Sequence, residues 1–250
     1  MKRSLVATSR RTVRRALTWR PKQRGTEAID IAALISPLRY DVRVRADFFE
    51  LLSTRDREEP LEALMEQVRH GSYAAWFAKI AMARFRPWVL KDEALFDSQL
   101  AERVSTARDL YWSFRDRGFD TRYPVVLRST SRPLAADTGA VIRPRTHVGD
   151  GGHRLALLLA SGGIAEPETY LIDPRPQQII DNTVRLFSAE DVATERYLGF
   201  IARGYLPSDA AVPATSADLV AAVAEHGGPD AGDEVAAVLA AHRREWGIDA

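Results

Sequence analysis

Cysteine is absent from all 250 residues of the sequence. This absence excludes disulfide bonds, thiolate nucleophiles and zinc sites with cysteine ligands, and it fits a reducing compartment. Long apolar runs are missing as well, because no stretch approaches the roughly 18 consecutive apolar residues of a transmembrane helix. Lysine occurs only four times, against 31 arginines. This bias, together with abundant alanine, is typical of a GC-rich bacterial genome, and we expect a cytoplasmic protein.

The first 26 residues contain no acidic side chain but nine basic ones, so the opening segment is strongly cationic. The remaining residues carry 26 basic and 34 acidic side chains, a net charge of −8. The segment also lacks the apolar stretch and the cleavage site of a secretory signal. We therefore interpret residues 1–26 as a basic flexible arm. The alternative is contact through residues 1–24 with nucleic acid or with an anionic membrane, which would place the protein peripherally at that membrane.

An apolar fraction of 46% is enough for a buried core. Apolar residues recur at spacings of three and four through much of the range 60–117, which predicts helices. Residues 185–250 show the same periodicity and also predict helices. His70, His226 and His242 lie at or near the ends of these helices, where we interpret them as helix caps rather than catalytic groups.

Alternating apolar and polar residues predict strands in the rest of the chain. The expected strands cover residues 29–32, 40–45, 123–130, 146–148 and 169–174. A helix is expected from Arg154 to Ala160, because an apolar run there is closed by Ser161 and two glycines. The middle of the chain therefore predicts the order strand, glycine turn, helix, strand.

The glycine turn, GDGGHR, is the most informative motif. Its candidate ligand-binding residues are Gly149, Asp150, Gly151, Gly152, His153 and Arg154. Glycines allow a ligand to approach the backbone, and unpaired N–H groups at a helix start attract anions. The His153 and Arg154 side chains add donors that suit phosphate oxygens. Asp150 is unusual in an anion site and would cap the helix, orient His153 or bind a metal that accompanies a nucleotide.

Two other interpretations of the turn stay open at this point. In the first, it is a tight turn in which His153 and Arg154 only satisfy backbone carbonyls. In the second, His147, Asp150 and His153 are metal ligands. The turn is neither a Walker A loop nor a G-x-G-x-x-G loop, because Arg154 stands where the second pattern requires glycine.

The stretch VGDGGHRLALLLASGG resembles the signature of the ParB/sulfiredoxin-like superfamily, in which a strand leads into a Gly-His-Arg turn and a helix. Three neighbouring stretches agree. ISPLRYDVRVR is similar to the first conserved box of the family, a strand ending in a proline-containing turn. YPVVLR is similar to the strand before the signature turn, and TYLIDP to the strand after its helix. The resemblance covers residues 27–50 and 120–175.

This resemblance implies a nucleotide-binding fold whose members bind ATP or CTP with Mg²⁺. It implies that Gly151, Gly152, His153 and Arg154 hold the nucleotide phosphates. In the kinase members an acidic residue near the first box acts as the base. The nearest candidate here is Asp41, and Glu50 is the second choice. Arg39 or Arg43 would reach the phosphates from the same box, and Asp150 would be the metal or orienting group.

Two departures narrow what the resemblance implies. Sulfiredoxins need a cysteine in their signature, so their reaction is excluded here. ParB segregation proteins carry a helix-turn-helix after the nucleotide domain, whereas the helices expected after residue 185 are acidic and offer no basic recognition face. A DNA-associated role therefore stays a minor alternative.

We expect an α/β (α+β) fold with a small mixed sheet of ParB/sulfiredoxin type. Residues 27–184 would form this domain, with a large helical insertion at about 55–118 and a helical extension at 185–250. The expected function is nucleotide-dependent phosphoryl transfer to a small acceptor or to water. The alternative is a nucleotide- or sugar-phosphate-binding sensor or scaffold in a biosynthetic complex, without turnover.

Overall fold

The computed structural model describes residues 22–175, 179–207 and 209–248. The described chain combines helices with small mixed sheets, and most of its residues are helical. This agrees with the mixed helix-and-sheet fold that the sequence predicts. Residues 1–21 of the predicted arm lie outside the described residues. Gln23 and Arg24, which the sequence assigns to the arm, instead form a strand.

The strands are β1 Gln23–Arg24, β2 Ile29–Asp30, β3 Val125–Ser129, β4 Leu134–Ala135, β5 Val141–Ile142, β6 Thr146–Asp150, β7 Ile164–Ala165 and β8 Tyr170–Asp173. The helices are α1 Ile31–Leu34, α2 Tyr40–Ser53, α3 Leu61–Val68, α4 Ser72–Trp76, α5 Ala83–Phe85, α6 Glu93–Arg117, α7 Gly152–Ala160, α8 Thr183–Leu186, α9 Glu195–Arg203, α10 Ser216–Gly227 and α11 Pro229–Glu245. A π-helical segment, Phe77–Met82, joins α4 to α5. Short 3-10 helices occupy Pro87–Lys91, Pro167–Thr169 and Ala189–Asp191.

The main sheet has the strand order β1-β8-β3-β6. Strand β3 runs parallel to β8 and antiparallel to β6, and β1 closes the other edge antiparallel to β8. The predicted strands at 123–130, 146–148 and 169–174 are therefore confirmed as neighbours in one sheet. Helix α7 connects β6 to β7 and β8 and begins two residues after the end of β6.

The strand predicted at 40–45 is wrong, because these residues open α2. In this stretch valine alternates with arginine, a pattern that normally indicates a strand with one exposed face. Helix α2 is buried on several sides, so even the side chain of Arg45 is inaccessible, and a polar residue no longer marks an exposed face. The preceding strand, predicted over 29–32, is likewise reduced to the two residues of β2, and α1 starts at Ile31.

Helices α2 and α7 pack against each other and form the centre of the core. The contact buries Phe49 and Leu52 of α2 and Leu155 of α7 completely or almost completely. It also fixes the start of α7 against the first turn of α2. The glycine turn thereby comes to lie next to Asp41 and Arg45.

Residues 60–117 are mostly helical, as their periodicity predicts, and α6 is the longest helix among them. The N-cap of α6 is Asp92, whose side chain accepts from the Leu95 N–H at 3.0 Å. Gly118 ends the helix with a φ of 75°, a left-handed conformation that glycine adopts without steric cost. No helix in the described ranges is long and apolar enough to cross a membrane.

The C-terminal helices pack on the sheet-bearing part through buried polar contacts. Glu234 of α11 accepts hydrogen bonds from Arg143 and Arg145 beside β5 and β6. His242 is fully buried, with Nε2 2.8 Å from a carboxylate oxygen of Asp181 and Nδ1 2.7 Å from the Tyr197 hydroxyl. The interpretation of His242 as a helix cap is therefore wrong, because its ring bonds to Asp181 and Tyr197 instead.

The helix predicted from Ser188 to Arg203 is also interrupted. Ser188 and Asp191 do form a capping box, but it opens only a 3-10 turn, Ala189–Asp191. Helix α9 then starts separately at Glu195, with the Thr194 side chain as its N-cap. The sequence thus identifies the cap correctly and assigns it to the wrong helix.

Candidate functional site

A cleft of about 1050 Å³ opens beside the glycine turn. Its walls come from the start of α2, the π-helical segment Phe77–Met82, helix α6 and the turn itself. All six residues of the turn, 149–154, line it. The glycine-rich motif that the sequence identifies as a candidate binding site therefore lines a cleft in the structure.

The first turn of α7 presents unpaired backbone donors. Gly151 is the N-cap residue and has a φ of 81°, a conformation that strains any residue with a side chain. No side chain caps the helix. In the described part of the chain, the N–H groups of Gly152, His153 and Arg154 donate to no protein acceptor. These donors and the helix dipole make this end of the cleft favourable for an anion.

Asp41 lies beside the turn, but it is held between two arginines. Arg39 donates to both carboxylate oxygens, at 2.8 and 3.1 Å. Arg45 donates to one of these oxygens and, through Nε at 2.8 Å, to the Asp41 carbonyl. Although burial alone would raise the pKa of Asp41, the charges of Arg39 and Arg45 hold it well below the usual range.

A carboxylate with so low a pKa is a poor acceptor of a substrate proton. The geometry thus argues against Asp41 as the catalytic base and makes it the group that positions Arg39 and Arg45. Glu50, the second choice, is exposed and bonded to Arg43. Arg43 also pairs with Asp47 and does not line the cleft, so the structure does not bring it together with the glycine turn.

Arg45 is the cation closest to the helix start. A Cβ atom at Gly152 would overlap Arg45 Nη1 and lie only 2.9 Å from its Cζ, so only glycine leaves room for the guanidinium. The same guanidinium stacks over Trp76, with its Cζ 5.0 Å from the ring centroid. Because Asp41 neutralises only one of two arginines, the cluster adds net positive charge to the unpaired N–H groups.

His153 lines the cleft, and its ring also packs among the aromatic side chains of Phe49, Tyr73 and Trp76, which together form an aromatic wall. Its Nε2 lies 2.9 Å from the Tyr73 hydroxyl, and the rings of Phe49 and Trp76 meet it edge-on. Desolvation by these neighbours, with the charges of Arg45 and Arg103, lowers the pKa of His153 well below 6.5. A neutral imidazole can accept or donate one hydrogen bond, but it does not neutralise a phosphate.

We predict that His153 stays neutral as the pH falls to 6.5 and protonates only at lower pH. Histidine resonances in a two-dimensional ¹H–¹⁵N NMR titration measure this directly. Replacing the exposed Arg103 with alanine removes one of the charges that disfavour the imidazolium, so the pKa of His153 should rise in that variant. A wild-type His153 that titrates at or above 6.5 would contradict this electrostatic description of the site.

The side chain of Arg154 extends towards the residues that precede β3. Its Nη1 donates to the carbonyls of Tyr123 and Pro124, at 3.0 Å for the second. Arg154 thus links the glycine turn to the residues just before β3. This contact agrees with the alternative interpretation of the turn, in which the Arg154 side chain satisfies backbone carbonyls. Its backbone N–H, rather than this guanidinium nitrogen, is the part that remains open to a ligand.

Asp150 is exposed at the cleft, and its carboxylate accepts from the Gly151 N–H at 2.7 Å. It therefore stabilises the turn itself. His147 lies in β6, where its side chain is buried, so the three-ligand metal site with Asp150 and His153 does not form. Among the described residues, no group of three or more histidine or acidic side chains is arranged to hold a metal ion.

Several cleft residues carry no signal in the sequence. Asn182 belongs to a DN dipeptide more than 25 residues beyond the turn in the chain, yet it lines the same cleft as Asp41. Arg103 is an ordinary exposed position of α6 that faces the cleft. Only the folding of the helical insertion over the turn brings these side chains together, and no local pattern records that arrangement.

Comparisons with known proteins add no relative: no family model, no curated protein and no solved structure matches this chain.

Proposed function

We propose that the cleft binds a nucleoside triphosphate, ATP or CTP. One observation carries this proposal: the unpaired N–H groups of Gly152, His153 and Arg154 face the same cleft end as the Arg45 guanidinium. Backbone donors at a helix start together with an arginine are a recurrent way to bind phosphate. Arg45 is preorganised for this role by Asp41, which fixes two of its nitrogens and leaves Nη1 beside Gly152.

The rest of the cleft supports a ligand that is larger than phosphate. Its volume of about 1050 Å³ is at the upper end of the range for small-molecule sites. Trp76, Phe77 and Phe114 line it together with further aromatic side chains. A nucleobase would find planar apolar surfaces for stacking there, while the phosphates would lie at the cationic end.

Between the two expected activities, the contacts of Asp41 favour binding without turnover. Phosphoryl transfer to an acceptor hydroxyl is helped by a group that takes the hydroxyl proton. Asp41 is held in two ion pairs and is not available to take that proton. A sensor or scaffold needs no proton acceptor, so this function requires fewer catalytic groups than phosphoryl transfer. Phosphoryl transfer to a small acceptor or to water remains the second candidate, supported by the exposed carboxylate of Asp150 at the turn.

A magnesium ion carried by the nucleotide fits this second candidate. Mg²⁺ commonly keeps several waters and uses one or two carboxylates together with the phosphates, so Asp150 alone could hold it. When bound, the ion would neutralise charge on the phosphates. The protein residues would position the nucleotide through α7 and Arg45 and would exclude water with the aromatic wall.

Isothermal titration with ATP, CTP and GTP, each with and without Mg²⁺, tests the proposal. We expect at least one nucleotide to bind. Arg103 is exposed and lines the cleft, so we expect its guanidinium to bind a phosphate oxygen. The Arg103→Ala variant should then bind the nucleotide about tenfold more weakly, because a charge-assisted hydrogen bond contributes about 1.5 kcal/mol or more. Arg203→Ala, an exposed arginine of α9 that does not line the cleft, is the matched control and should bind like the wild type.

No heat with any of the three nucleotides would contradict the proposal, as would equal weakening in both arginine variants. Phosphate release, measured on the same samples, separates the two candidates. Release that depends on Mg²⁺ and falls in an Asp150→Asn variant would establish phosphoryl transfer. Binding without release in the presence of candidate hydroxyl acceptors would establish a sensor.

A further inference from the structure

The segment 84–95, between the π-helical segment and the first turn of α6, carries exposed apolar side chains. Four of the eight large apolar side chains that are well exposed in the described chain lie in it: Phe85, Trp88, Leu90 and Leu95. Phe85 lines the cleft, but the other three do not, so a ligand in the cleft would leave them uncovered. Clustered apolar side chains at a surface mark sites of interaction.

The fold holds this segment in place and keeps its apolar side chains outside. Pro87–Lys91 form a 3-10 helix, and its middle residue, Val89, is 2% exposed and belongs to the core. Because Val89 is directed inward, the residues on both sides of it remain at the surface. Arg86 donates to Gln99 of α6 at 2.7 Å, which ties the start of this helix to its neighbour. The exposed surface is therefore preformed.

Basic side chains accompany the apolar ones. Residues 84–91 contain no acidic side chain, although the chain after residue 26 is net negative. They contain three exposed basic residues: Arg84, Arg86 and Lys91. The Arg84 guanidinium lies over the Phe85 ring, with Cζ 5.1 Å from the ring centroid. Asp92 and Glu93 follow at the N-terminus of α6, where the positive end of the helix dipole offsets part of their charge. The segment therefore favours an anionic partner.

Two kinds of partner fit this surface less well than a lipid bilayer does. Single-stranded nucleic acid is anionic, but it binds by stacking its bases on aromatic rings, and Leu90 and Leu95 offer no planar surface. A second copy of the chain, bound symmetrically, would bring the same patch of each copy together. The basic side chains would then face one another, and their repulsion disfavours such a dimer.

An anionic bilayer matches both the apolar and the basic side chains. Tryptophan and phenylalanine are favourable at the headgroup level, while arginine and lysine attract anionic lipids. Trp88 and Lys91 are three residues apart in a 3-10 helix and so lie on the same side of it. We propose that segment 84–95 docks the protein on an anionic lipid surface. This contact is separate from the one considered for residues 1–24, and it goes beyond the proposed nucleotide site and does not depend on it.

Cosedimentation of the full chain with vesicles of equimolar phosphatidylcholine and phosphatidylglycerol tests this inference. We expect the wild type to bind, and Trp88→Ser to bind about tenfold more weakly or less, because a tryptophan buries a large apolar area. Ile164→Ser removes an exposed apolar side chain of β7, outside the segment, and should bind like the wild type. Full binding by Trp88→Ser, or equal weakening in both variants, would overturn the inference.

Tryptophan fluorescence gives a measurement that does not depend on a weakened variant. Trp88→Phe keeps an aromatic ring and should still bind, so the emission of Trp88 is the difference between the wild type and this variant. Since Trp88 is 60% exposed, its emission should shift to shorter wavelength on the vesicles, and nitroxide-labelled lipid should quench it. Unchanged Trp88 emission at saturating vesicles would overturn the inference.

The same samples distinguish the other partners. A Trp88 emission that responds to a single-stranded oligonucleotide but not to vesicles would overturn membrane docking and assign the segment to nucleic acid. A wild-type dimer in sedimentation velocity that Trp88→Ser dissociates would assign it instead to a second copy of the chain. Vesicle binding through Trp88 without any nucleotide binding would support this inference and contradict only the proposed nucleotide site.

Discussion

Replacing Asp41 with asparagine is expected to lower the free energy of unfolding by about 3–5 kcal/mol, the usual cost of breaking a buried ion pair from one side. The asparagine side chain has nearly the same shape, so packing is preserved while the charge is lost. The buried Arg45 and the partly buried Arg39 would then surround a neutral amide. The loss is large because the carboxylate has both guanidinium groups as partners.

Urea denaturation followed by circular dichroism measures this change. Asp120→Asn is the matched control, because Asp120 binds Arg122 in the same bidentate way two residues along the chain, but at the exposed surface. Exposed pairs contribute little to stability, so this control should unfold like the wild type. Equal effects of the two substitutions would refute the assignment of a buried, stabilising carboxylate to position 41.

The same contacts predict how acid affects the protein. The pKa of Asp41 is lower in the folded than in the unfolded chain, so its contribution to stability is complete above the unfolded pKa of about 3.9. It is lost as the pH falls from there towards the lower folded-state value. The stability difference between wild type and Asp41→Asn should therefore shrink below about pH 4.

The sequence predicts those parts of the fold that local chemistry determines. The strand before the glycine turn, helix α7 and strand β8 are found because glycine spacing and apolar runs define them within a few residues. Helix α6 is found because its apolar residues recur at spacings of three and four. In each case the local sequence pattern alone predicts the helix or strand, and tertiary packing does not change it.

Other features depend on contacts that no local pattern records. Residues 40–45 alternate like a strand, yet they form a helix because α7 packs against α2 and buries several of its faces. Asp41 looks like an available carboxylate until folding places Arg39 and Arg45 on both sides of it. His242 looks like a helix cap until α11 packs and carries it to Asp181, 61 residues away. The sequence therefore locates the cleft better than it assigns the roles of its residues.

Replacing Gly152 with alanine is expected to weaken nucleotide binding by about tenfold or more, the equivalent of one charge-assisted hydrogen bond. In most helices glycine-to-alanine changes favour folding, because alanine has the higher helix propensity. At position 152 the new methyl group would instead occupy the space of the Arg45 guanidinium. Arg45 cannot simply turn aside, because Asp41 holds its Nε and Nη2. The substitution is therefore expected to move the Arg45 guanidinium away from the start of α7.

Gly71→Ala is the control for this experiment, because Gly71 also stands at the start of a helix, α4. An alanine there meets only ordinary contacts at 3.4 and 3.5 Å, so nucleotide affinity should not change. Isothermal titration of both variants, with thermal unfolding to verify that each is folded, gives the comparison. A folded Gly152→Ala protein with wild-type affinity would show that ligand binding does not require the Arg45 guanidinium to lie against the start of α7. The phosphate site would then have to lie elsewhere in the cleft.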